Sequence, residues 1–100
     1  DITIDGHHKI FINKSASINN NYDIQVGAGA NLNIQVDTGD VNIHTIRGKI
    51  NMNAGGDYNL KVGGNYTLSV DGSHSETIAG TRTESVTGDN TKTGKTINLN

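Results

Sequence analysis

The chain has 100 residues, a formal net charge of −2, and no cysteine, proline or tryptophan. This excludes a disulfide framework and a thiolate metal site, and it offers no electrostatic attraction to nucleic acid or an anionic membrane. No apolar run approaches the roughly 18 residues of a membrane span, no signal-peptide core is visible, and a chain opening on Asp1 reads as a piece of a longer or processed protein.

Asn, Gly, Thr and Ser make up 44 of the 100 residues, and Leu, Ile, Val and Phe only 23. So low an aliphatic content borders on that of disordered chains, but the low net charge and the regular spacing of the aliphatics argue for order. Ile and Val together number 18 against 4 Leu, which favours strand over helix.

In chain order, apolar residues alternate with polar ones. Ile2 and Ile4, then Ile10 and Ile12, predict short strands. Gly27-Ala28-Gly29-Ala30 predicts a corner. Leu32, Ile34 and Val36 form the next alternating run, all at even numbers. Val41 and Ile43 fall on odd numbers, so a turn or bulge at Asp37-Thr38-Gly39-Asp40 must switch the inward face. Ile46 restores the even register, and Ile50, Met52, Tyr58, Leu60 and Val62 continue it. Nowhere do apolar residues recur at helical spacing. The chain is predicted to be all-β.

From Ile46 a period of eight takes over. The units are IRGKINMN, AGGDYNLK, VGGNYTLS, VDGSHSET, IAGTRTES and VTGDNTKT, covering residues 46–93. Position 3 is always glycine: Gly48, Gly56, Gly64, Gly72, Gly80 and Gly88. Position 1 is Ile46, Val62, Val70, Ile78 or Val86, with Ala54 the exception. Gly94 stands where the next aliphatic belongs, so the register ends there. Three segments result: an irregular β part over 1–45, the octad array over 46–93, and the end of the regular part over 94–100.

An even period keeps position 1 on one face of a pleated strand. Glycine two residues later permits positive φ and a close backbone approach, which suits a sharp bend at fixed intervals. The other positions suit a solvated surface. One aliphatic per octad is too little to offset the entropy of ordering eight residues within one chain. An obligate oligomer with a thin core resolves this. Three identical chains wound about one axis would give each level three aliphatics and leave few open strand edges. Three closes a triangular prism most simply.

Ile46-Gly48, Val62-Gly64, Val70-Gly72, Ile78-Gly80 and Val86-Gly88, with Ala54-Gly56 as a weaker unit, resemble a known array. It is the C-terminal β-helix of the central spike of contractile-tailed phages, and it is similar to the valine–glycine repeat spikes of type VI secretion systems. The resemblance covers about half the chain. It implies an intertwined, parallel, trimeric β-helix, a triangular β-prism, that pierces a bacterial outer membrane when a sheath contracts. It further implies attachment to a tail hub or baseplate through an upstream domain absent from this sequence, and a tip that meets a small cap protein. The location implied is the virion's tail spike, or else export by a secretion system.

The chemistry-bearing residues are few. Glu76 and Glu84 lie one octad apart, but a glycosidase pair needs a cleft that separates their pKa values. With Arg82 and Lys92 they read as a surface charge ladder, and no catalytic residue is assigned. His7-His8, His44 and His74 are the imidazole ligands available. The plain reading of His74 is a surface side chain. In a three-fold assembly an inward His74 or His44 would instead form an axial three-His site for a metal or anion. No cofactor is otherwise expected. Lys61, Lys92, Lys95 and Arg82 lack an aromatic platform for nucleic acid, and the Asp residues do not recur as a calcium repeat requires. Tyr58, Leu60, Tyr66 and Leu68 hold the positions that His74, Glu76, Arg82 and Glu84 hold further on, and they face either inward or outward. Tyr58, Asn59 and Tyr66 leave open a second function, a trimeric fibre module that binds a receptor or polysaccharide.

Overall fold

The structure, a computed structural model, describes residues 1–13 and 20–99. Residues 14–19 of the predicted irregular segment and residue 100 of the predicted end segment lie outside the described residues. The chain divides into two units, Asp1–Met52 and Asn53–Asn100. The division falls near the end of the first octad.

Among the described residues there is no helix and no paired strand; extended segments are separated by bends. Within each unit, no described Cα comes within 8 Å of another twelve or more positions away. No described side chain is buried. The physical reason lies in the sequence. Its aliphatics are β-branched and spaced by polar residues, so the backbone favours extension, while the few apolar groups cannot gather into a core of their own.

In Asp1–Met52 the bends fall at Asp5-Gly6, Ile12-Asn13, Ala28-Gly29, 37–39 and 46–48. The corner at 27–30 is a β-turn closed by the Ala30 N–H donating to the Gly27 carbonyl at 3.2 Å. Gly29 has φ of +78°, the value that the third residue of a type II turn requires. The bend at 37–39 lies where the alternation changes parity. There the Gln35 amide donates to Asp37 Oδ1 at 2.9 Å. The bend at 46–48 is closed by the Gly48 N–H donating to Thr45 Oγ1 at 3.2 Å, a side chain standing in for a backbone acceptor. Lys9 Nζ lies 4.7 Å from the centre of the Phe11 ring.

In Asn53–Asn100 the bends are periodic. They fall at Gly55-Gly56, Gly63-Gly64, Asp71-Gly72, Ala79-Gly80 and Thr87-Gly88, and then at Lys95 alone. Each of the first five occupies positions 2 and 3 of an octad. The backbone therefore carries the same period of eight as the side chains.

Candidate functional site

The feature that could carry function is the repeated face of the octads. Along the extended stretch between two bends, alternate side chains share a face. Positions 5 and 7 of one octad share their face with position 1 of the next.

Position 1 is apolar and only partly covered. Val62, Val70, Ile78 and Val86 are between 42 % and 49 % exposed, and Ile46 is 85 % exposed. At positions 5 and 7, Tyr58, Leu60, Tyr66 and Leu68 are more open than those four, at 59–62 %. The chain's own described residues thus leave these aliphatic and aromatic groups only partly covered.

The glycines differ from expectation in one respect. Among the described residues the only glycine with positive φ is Gly29. The bends at Gly56, Gly64, Gly72, Gly80 and Gly88 use backbone angles that other residues adopt. Beyond its immediate chain neighbours, a methyl group at any of these five would meet no atom of the described residues within 4 Å. Positive φ is therefore not the reason for glycine there, and neither is crowding within the chain. Gly48 is the tighter case, since a Cβ would stand 3.1 Å from Thr45 Oγ1.

Beyond residue 70 the same positions carry charge. Arg82 Nε lies 2.7 Å from Glu76 Oε1, and its Nη2 lies 3.0 Å from Glu84 Oε2. The Asn90 amide donates to Glu84 Oε1 at 2.5 Å. His74 Nε2 stands 3.8 Å from Glu76 Oε2. The Glu76–Arg82 and Glu84–Asn90 contacts join residues six apart, and each crosses one of the glycine bends. The bends at Ala79-Gly80 and Thr87-Gly88 thus bring position 7 of one octad to position 5 of the next.

These contacts shift the charges. The Arg82 hydrogen bond, then the Asn90 hydrogen bond and the positive charges of Arg82 and Lys92, hold the Glu84 carboxyl below the usual carboxylate range. The hydrogen bond to Glu84, followed by the charge of Glu76, raises the Arg82 guanidinium still further. All of these groups are exposed, so the ladder contributes little to stability through charge alone.

Among the described residues, no three His, Asp or Glu side chains converge as metal ligands would. His74 has one carboxylate neighbour, and His44 lies in the other unit. No helix among the described residues is long and apolar enough to cross a membrane.

Residues 56–79 match the Gp5 C-terminal repeat in three copies, which gives eight residues per copy. The match lies within Asn53–Asn100 and begins on a bend glycine. No curated protein and no solved structure matches the chain.

Proposed function

We propose, from the premise that residues 56–79 are three copies of the repeat of phage Gp5-type spike domains, that this chain is shaft material of a phage tail spike. In this reading three parallel copies wind into a triangular β-helix. The shaft punctures the bacterial outer envelope during genome delivery, mounted on the tail baseplate by an upstream domain. Its work is mechanical, and no residue of it is a catalyst.

The repeat carries the reading, and the physics of the single chain supports it. The chain exposes 11373 Å². A folded monomer of 10.6 kDa would expose about 5,500 Å². A surface with so many uncovered aliphatics needs a partner, and a regular array is best covered by copies of itself. The glycine at each bend gains a reason in the same assembly. Nothing among the described residues requires glycine at Gly56, Gly64, Gly72, Gly80 or Gly88, so a neighbouring backbone passing close to the bend would supply the need. Interchain strand pairing would also bring kinetic stability, because unfolding then requires three chains to unwind.

The test is the mass of the purified chain by native mass spectrometry and light scattering, with electrophoresis in SDS without boiling. A trimer that survives SDS is expected. A monomer at micromolar concentration would overturn the reading. In a particle carrying the full-length protein, Val70→Asp with Ile78→Asp should leave adsorption intact and abolish genome delivery.

A further inference from the structure

The period of eight creates a difficulty for any assembly of parallel copies. Val62, Val70, Ile78 and Val86 are nearly interchangeable at position 1, and the glycines at position 3 are identical. The bends of Asn53–Asn100 fall at one phase in every octad from Gly55-Gly56 to Thr87-Gly88. A copy that slips by eight residues would meet a valine or isoleucine with its valine, a glycine with its glycine, and a bend with its bend. Repetitive strands of this kind specify register weakly.

Positions 5 and 7 break the equivalence. They read Tyr58/Leu60, Tyr66/Leu68, His74/Glu76, Arg82/Glu84 and Asn90/Lys92. The change from apolar to charged is complete within one step, between Leu68 and His74. On the charged side the groups satisfy one another across the bends, with Arg82 between Glu76 and Glu84 and Asn90 on Glu84. On the apolar side the same places hold rings and leucines. These positions share a face with position 1 of the next octad, the face that further copies would cover.

We propose that the changeover between Leu68 and His74 is the register key of the assembly, with a second and third copy of this chain as its partners. The inference rests on the trimeric reading above. In register, each level is apolar in all copies or polar in all copies. After a slip of one octad, Tyr66 and Leu68 of one copy stand level with His74 and Glu76 of the others. A carboxylate and its own chain's Arg82 then lose water beside apolar groups of the neighbouring copies, and those apolar groups lose their cover. Ala54, the one small residue at position 1 of the six octads, reinforces the same register. A single polar layer fixes register in coiled coils by the same physics.

The chain has no cysteine, so Asn65→Cys gives one thiol per copy for a spin label. Pulsed electron paramagnetic resonance on the assembled protein should show one interlabel distance. Exchanging the two sides with Leu68→Glu plus Glu76→Leu, on the same label, should add a second, longer distance from copies offset by an octad. If the exchanged chain runs as a monomer, the milder Tyr66→Thr plus Leu68→Ser variant is judged by the same criterion. A single distance in a variant that still has trimer mass overturns the register key and leaves the trimer standing. A monomeric mass for the labelled chain without either exchange overturns the trimeric reading itself.

Discussion

Arg82 Nε and Glu76 Oε1 meet at 2.7 Å across the bend at Ala79-Gly80. They lie six positions apart, a spacing at which side chains on an extended strand could not touch. The contact therefore depends on the bend, and it shows what the bend brings together.

The ladder should respond to acid. The folded Glu84 carboxyl is held below its ordinary value, so its contribution is present above the unfolded pKa of about 4.3. It is lost as pH falls through the lowered folded value. Carbon-13 NMR of the Glu84 carboxyl should give a midpoint below that of a free glutamate. In Arg82→Gln the midpoint should return towards it, because the first and third causes of the shift are gone. An unchanged midpoint in Arg82→Gln would show that Arg82 is not the cause.

Glycine substitutions should separate two kinds of bend. Gly29→Ala places a side chain at φ of +78° and should cost about 1–2 kcal/mol in any state that keeps the turn. Gly80→Ala meets neither strain nor contact within the chain. It should leave an isolated chain unchanged and weaken an assembled one. Thermal unfolding of both variants beside the parent protein, with the mass of each, distinguishes the cases. Equal and negligible effects in both would remove the intermolecular reason for the bend glycines.

The aliphatics at position 1 should matter only in the assembly. Ile78 is 46 % exposed in the single chain, so truncating it there removes little buried surface. In a covered core, Ile78→Ala should cost about 2–5 kcal/mol per copy. The expected result is a lower melting temperature and loss of SDS resistance. A melting temperature within a degree of the parent's would place Ile78 outside any core.

The first octad should be sensitive to one hydroxyl. Thr45→Val removes the acceptor for the Gly48 N–H while keeping β-branching. Amide exchange at Gly48 should accelerate, consistent with a net hydrogen-bond contribution of about 0.5–1.5 kcal/mol. Exchange at Gly64, which has no such hydroxyl three residues before it, should not change.

Much of this was legible from residue order. The turn at 27–30 announces itself through two glycines, and the parity change at 37–40 demands a bend. The octad phase is written in Gly56, Gly64, Gly72, Gly80 and Gly88, and the matched repeat at 56–79 has the same period. What glycine does at those bends was less legible. Positive φ is one of two reasons for glycine at a bend, and only a backbone shows that Gly29 uses it while Gly80 does not. The meeting of Glu76 with Arg82 was also hidden, because a spacing of six belongs to no regular element. Alternation predicts strands without saying which chain pairs with them, and the described residues of one chain make no pairs among themselves.

The common phase of the bends in Asn53–Asn100 has a consequence for how such a protein can change over generations. Adding or deleting eight residues leaves every later side chain on its original face and every bend in step. Adding or deleting one residue turns the remainder inside out. Length is therefore quantised. Duplication of a short stretch of gene can lengthen or shorten the array in whole octads, so its reach is adjustable by a kind of copying error that would ruin most folds.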